Sequence, residues 1–219
     1  MCYPIAPVQP WFHLTLWLAL AYLVGALPCG LWLAKLNGVD IRAVGSHNIG
    51  ATNVYRCVGK GWGLLTFVLD ALKGLVPALV FPMLGKSALP AFPSLEGCFG
   101  LLCGVAAILG HNFPIYLGFK GGKGVSTSAG VLLGVAPAAV GLGALAWALL
   151  LVATRYMSLA SLGGAVAVPA AGWFFYRGQG LALPVVLTLL GLLVIVRHHA
   201  NLRRLLAGTE NKFQFGKQA

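Results

Sequence analysis

Apolar runs of helical length, parted by short polar islands, leave this chain few folds to choose from. The runs cover about residues 11–36, 61–84, 97–117, 125–152, 159–176 and 181–196 and are rich in Leu, Ala, Val and Gly. About 20 such residues in a helix match the roughly 30 Å hydrocarbon core of a bilayer. There every backbone N–H and C=O needs a partner within the structure, which helices supply and open strands do not. Only 9% of the 219 residues are charged, against about a quarter in soluble domains. The expected fold is an all-α integral membrane protein, a bundle of about seven transmembrane helices forming one domain over residues 1–219.

Two breaks are legible in the runs. Pro28 stands between Gly25 and Gly30 and predicts a kink in the first span, because proline removes a helical N–H and crowds the preceding turn. The run from Val125 to Val152 is too long for one straight span. Gly134 and Pro137 predict a short helix to about residue 134 and a full one from Pro137.

Charge then orients the bundle. The net charge is +11, with 15 Lys and Arg against four acids: Asp40, Asp70, Glu96 and Glu210. With seven spans, segments 35–60, 118–123, 155 and 197–219 fall on one side and hold twelve Lys and Arg, while the other side holds Lys86 and Arg177. The positive-inside rule puts the first side in the cytoplasm, with the N-terminus outside and the C-terminus cytoplasmic. All the polar islands then face the cytosol together. The five cysteines form no CxxC pair and are read as small apolar side chains.

The first island, Gly45 to Arg56, reads GSHNIGATNVYR. Gly45 and Gly50 permit turns that aim successive N–H groups into one concavity. Ser46, Asn48, Thr52 and Asn53 add short polar groups, and Arg56 adds a planar cationic fork suited to phosphate. No carboxylate interrupts them. The segment is an anion cradle in the making.

The second island, from His111 to Ser128, repeats that logic. Lys120, Gly121, Gly122 and Lys123 form a glycine-rich turn, followed by Ser126 at a predicted helix start. Free N–H groups and the positive end of the helix dipole favour an anion there. The spacing is not that of a Walker A loop, since Gly124 follows Lys123. His111 itself reads equally well as a capping or packing residue. In the third island His198 and Asn201 are three apart and share a helix face, ahead of Glu210. Asp70 and Lys73 lie inside a span, also three apart; each alone costs about 2.5–3.5 kcal/mol at mid-membrane, so they are expected to pair and support the site.

What is missing prunes the chemistry. No paired carboxylates suit glycoside hydrolysis or magnesium, and no His/Cys spacing suits zinc, so no metal is expected. A secondary transporter for organic phosphates would also place cations beside broken helices. Against that alternative, the islands gather at one face instead of the midplane, and no inverted repeat is evident.

Four stretches carry a more specific resemblance: GSHNIGATNVYR at 45–56, LDALKG at 69–74, GHNFPIYLGFKGGKGVSTS at 110–128 and RHHANLRRLLAGTE at 197–210. With them the chain closely resembles the bacterial acyl-phosphate:glycerol-3-phosphate acyltransferases. One departure is His47, where that family commonly has glycine. The resemblance implies transfer of a fatty acyl group from acyl phosphate to the 1-hydroxyl of glycerol 3-phosphate, giving lysophosphatidic acid and phosphate. It implies a multi-pass protein of the bacterial inner membrane, with its site facing the cytoplasm and no cofactor. The implied partners are the two substrates, the bilayer and the peripheral enzyme that makes acyl phosphate; nucleic acid is not among them. Both substrates are phosphate anions, which suits a site rich in cations. Ser46, Arg56 and Lys123 are expected to hold the phosphates, Lys123 also steadying the carbonyl oxyanion. His198 and Asn201 are expected to orient the acceptor hydroxyl or move its proton. The two loops, with Lys120, Gly121, Gly122 and Ser126, supply the cradle.

Overall fold

The computed structural model describes residues 10–85 and 97–214. Among the described residues the regular elements are all helical: α1 Pro10–Gly25, α2 Cys29–Leu36, α3 Ala51–Cys57, α4 Lys60–Leu84, α5 Phe99–Asn112, α6 Val125–Val135, α7 Pro137–Thr154, α8 Met157–Phe175, α9 Ala182–Arg197 and α10 His199–Leu206. Lys86, Glu96 and Lys217 lie outside the described residues.

Among the described residues five stretches are long and apolar enough to cross a bilayer: 11–36, α4, 99–117, α7 and α8. The pair α9 and α10, bent by 58°, makes a sixth if taken as one span. The expected number of about seven included α6. Its 11 residues rise about 16 Å, half the hydrocarbon thickness, so α6 is too short to cross on its own. Both expected breaks are present. The chain leaves the helix between Gly25 and Cys29, around Pro28, and again at Ala136 before Pro137 opens α7.

Long-range contacts show which helix ends meet. Lys123, just before α6, reaches Asn201 on α10. The backbone N–H of Phe213 bonds Arg155 between α7 and α8, and Arg56 on α3 bonds the Asn211 carbonyl at 3.3 Å. At the opposite end the Tyr176 hydroxyl lies 3.3 Å from the Ala138 amide, joining the end of α8 to the start of α7. All three polar islands therefore lie at one end of the bundle.

Lipid tails are as apolar as leucine, so close packing, not flight from water, holds such helices together. Glycine supplies the approach between α4 and α6: a β-carbon on Gly130 would overlap the Ala71 carbonyl, and one on Gly74 would overlap that of Thr127. Leu145, Val152 and Phe174 point outward, a surface that a bilayer would cover.

Lys73 and Asp70 form the expected pair, Nζ to Oδ1 at 2.7 Å, both buried. Lys73 also donates to the Leu27 carbonyl at 2.7 Å, a backbone group at the break around Pro28. One buried ion pair thus ties α4 to the broken first span.

Candidate active site

The polar end encloses a cavity of about 650 Å³. Its mouth is lined by Ser46, Asn48, Gly50, Thr52, Asn53, Arg56, Lys123, Ser126, His198, Asn201 and Glu210, and below these the walls turn apolar. Three segments far apart in sequence supply one site.

Asn53 organises the first loop. Fully buried, it donates through Nδ2 to the carbonyls of Ile41, Val44 and Asn48 at 3.0–3.1 Å and accepts the Ser46 N–H at 2.9 Å. Its amide is therefore committed to the loop, not open to a ligand as the sequence suggested. Gly45 is not a lining residue; its φ is +61°, and a β-carbon there would overlap Asn53 Oδ1. Asn48 Oδ1 accepts the Gly50 N–H at 2.9 Å, an Asx turn. What the loop offers the cavity is Ser46, Thr52 and Arg56. His47 has φ 57°, a left-handed conformation that costs a residue with a β-carbon about 1 kcal/mol or more and glycine nothing. Its Nδ1 lies 3.0 Å from the Arg42 carbonyl oxygen, a contact that offsets part of that cost.

The second loop splits its two lysines. Lys120 is exposed and does not reach the cavity, while Lys123 is half-buried within it. The reason is the backbone between them. Arg197 donates to the carbonyls of Gly121 and Gly122 at 2.8–3.2 Å, and the Gly122 N–H bonds the His111 carbonyl at 3.1 Å. The Gly122 N–H is therefore not free for an anion, contrary to expectation. The two glycines allow close approach instead, since a β-carbon on Gly122 would overlap the His111 ring. His111 lines the cavity with Nδ1 3.7 Å from Asp70 Oδ1, so it belongs to the site's support.

From Lys123 a polar chain runs outward. Its Nζ donates to Asn201 Oδ1, Asn201 Nδ2 donates to Glu210 Oε1 at 2.7 Å, and Arg204 Nε donates to Glu210 Oε2 at 2.7 Å. Both ends of the Asn201 amide are engaged, so its role here is to aim Lys123. Burial by itself would raise the Glu210 carboxyl, but hydrogen bonds from Asn201 and Arg204 outweigh it and hold the group below its ordinary range. Lys123 is pushed down to about 8, first by burial, with Arg204, Arg56 and Arg197 adding to the effect and Glu210 opposing it. His198, at the bend between α9 and α10, has Nδ1 2.8 Å from the Val194 carbonyl oxygen. In the neutral ring Nδ1 is then the donor, which leaves Nε2 as an acceptor.

A pH dependence follows with a definite sign. The ammonium of Lys123 is the anion-binding form, complete well below pH 8 and lost as pH rises through about 8. Because kcat/KM reports the free enzyme, its logarithm is expected to fall above about pH 8. Lys123→Arg stays charged and should lack that limb. An alkaline limb of the same position in both proteins would assign it to another group.

Ser158 and Ser161 also line the cavity. Their spacing of three on α8 places them on one helix face, a signal present in the sequence but unused. The C-terminal strap, in which Phe213 stacks on Tyr55 at 4.9 Å, had no local signal at all.

A cationic mouth over an apolar chamber, at one end of a membrane-spanning bundle, defines a membrane protein built for an amphipathic anion. Comparison with known proteins makes the class particular: residues 15–208 match the family model described as glycerol-3-phosphate acyltransferase, and the chain belongs to that family. It is 51% identical over 198 residues to a glycerol-3-phosphate acyltransferase of Geobacter sulfurreducens, covering 90% of this chain and 95% of that one. It is 48% identical over 199 residues to that of Trichlorobacter lovleyi, covering 90% and 96%. Among solved structures it is similar to PlsY (YgiH), an integral membrane glycerol 3-phosphate acyltransferase, in its glycerol 3-phosphate form: TM-score 0.78, 39% identity, 92% of this chain and 96% of that chain. The form of that enzyme with lysophosphatidic acid aligns with TM-score 0.76 at 38% identity, covering 92% and 95%. The chain is therefore a multi-pass membrane acyltransferase of the PlsY type, with a place in phospholipid synthesis.

Proposed function

We propose that the protein transfers an acyl group from acyl phosphate to the 1-hydroxyl of glycerol 3-phosphate, at the cytoplasmic face of a bacterial inner membrane. The observation that carries this reading is the single cavity in which Ser46, Arg56 and Lys123 meet above an apolar chamber. Two phosphate anions must come together there, and Glu210, the carboxylate near Lys123, is already held by Asn201 and Arg204.

The hydroxyl oxygen attacks the acyl carbonyl carbon, the bond from that carbon to the phosphate oxygen breaks, the hydroxyl proton passes to the departing phosphate, and lysophosphatidic acid and hydrogen phosphate result. Arg56 and Ser46 orient phosphate, and Lys123 balances charge on the carbonyl oxygen and the departing phosphate. Nε2 of His198 accepts a hydrogen bond from the attacking hydroxyl. Phosphate leaves readily, so positioning and charge stabilisation supply most of the rate. Asp70, Lys73 and Glu210 keep the loops in place, and the peripheral enzyme that makes acyl phosphate is the natural supplier of the donor.

Purified protein in detergent, given acyl phosphate and glycerol 3-phosphate, should release phosphate and form lysophosphatidic acid in equal amounts. Product formation from acyl-CoA with none from acyl phosphate would overturn the donor assignment. Orientation has its own test. With the five native cysteines changed to serine, Arg177→Cys should react with an impermeant thiol reagent from outside intact cells, and Arg203→Cys should not. The reverse pattern would put the site on the wrong face for cytosolic substrates.

A further inference from the structure

The cavity has a floor. Its deepest lining residues are Leu132 on α6, Val140 on α7, Val168 on α8 and Leu187 on α9. The same four pack into one apolar cluster with Ala136, Ala139 and Ala171, at the turn where α6 stops and α7 begins. Leu187 is fully buried, and it is wedged against α8: a β-carbon on Gly172 would lie 2.6 Å from its Cδ1. Gly143 makes room for Val168 in the same way, since a β-carbon there would overlap Val168 Cγ2. These side chains have little freedom to withdraw.

We propose that this floor, with Leu187 at its centre, sets the length of acyl chain that the protein transfers. The proposal rests on the acyl-phosphate reading above. From Ser158 down to Val168, and from His198 down to Leu187, the helix rise comes to about 15 Å. An extended chain advances about 1.3 Å per carbon, given C–C bonds of about 1.5 Å, so the chamber holds about a dozen carbons below the reacting carbonyl. Because lipid tails are as apolar as the chamber, a longer chain gains nothing by entering further. Selection is therefore steric: an overlong chain meets Leu187 and must bend or lift its carbonyl away from Lys123.

The short α6 explains why the floor lies where it does. A full span would carry its side chains past this depth and leave no turn to close the chamber. α6 ends at Val135 and Ala136 is fully buried at the turn, so Leu132 and Val140, on either side of that turn, form this part of the floor.

The test is pairwise competition among saturated acyl phosphates, from about 10 to about 18 carbons, with the lysophosphatidic acids resolved by mass. Leu187→Ala removes about two carbons' depth of floor and should move the optimum longer by about two carbons, changing the long-to-short product ratio about tenfold. Ala144→Leu, one turn above Val140 on the α7 wall of the cavity and exposed, is a second variant that needs no buried residue removed. It should move the optimum shorter. Turnover with an unchanged length profile in both variants overturns the floor as the ruler and leaves the donor assignment standing. Absence of product from every acyl phosphate, with product from another acyl donor, overturns the donor assignment, and the length profile of that other donor then decides the ruler.

Discussion

Lys123→Ala is expected to lower turnover by about a hundredfold or more, ~2.7 kcal/mol of transition-state stabilisation, while the protein stays folded in the membrane. The size follows from its placement. Its ammonium is half-buried in the cavity and aimed through Asn201 and Glu210, so it needs no reorganisation when charge develops. The helices do not depend on it, because it stands in the loop before α6. Its loss leaves Asn201 Oδ1 without that donor, a cost of about 1 kcal/mol. Lys123→Arg should restore little activity, because a planar guanidinium does not replace a compact ammonium beside a carboxamide already oriented for it. The measurement is phosphate release at saturating acyl phosphate and glycerol 3-phosphate, with thermal stability in detergent alongside. A stable Lys123→Ala protein with near-normal turnover would reduce this lysine to a surface anchor.

The second large effect is on stability. Asp70→Ala or Lys73→Ala alone should each cost about 3–5 kcal/mol, because a single buried charge is left without its partner. The double alanine variant should be more stable than either single one, the sign of a coupled pair. Lys73 has a further duty that Asp70 lacks, its bond to the Leu27 carbonyl, so the double variant should still fall short of the parent. Thermal unfolding of the four proteins in one detergent decides it. If the double variant is no more stable than the singles, the pair does not act as a unit.

Much of this molecule is written locally. The limits of α4, α8 and α9 lie within two residues of those read from hydropathy alone. Pro28 and Pro137 mark the two breaks, since proline acts on its own turn whatever surrounds it. The pairing of Asp70 with Lys73 is likewise a matter of helix spacing and the cost of a lone charge in an apolar span. The resemblance carried by the three polar islands and the LDALKG stretch at 69–74 led to the right family from sequence alone.

Other features belong to no segment of the sequence. Lys120 and Lys123 look alike in the string KGGK, yet only Lys123 faces the cavity, because Arg197 and His111 fix the backbone between them from other helices. Asn53 looked like a ligand group and is the loop's internal fastener, which became visible only with Ile41 and Val44 in place. Asn201 sits beside Lys123 across 78 positions of chain, and Glu210 holds it there. The ends of the runs could not announce the floor under the cavity, since Leu132, Val140, Val168 and Leu187 are ordinary apolar residues on four helices. Sequence by itself determined which segments are helices, where they break and where polarity collects, because hydropathy, proline and charge act over one or two turns. Only the tertiary structure decided which polar groups remain free for a substrate and how deep the apolar chamber runs, because hydrogen bonds and packing across helices decide which side chains are already engaged.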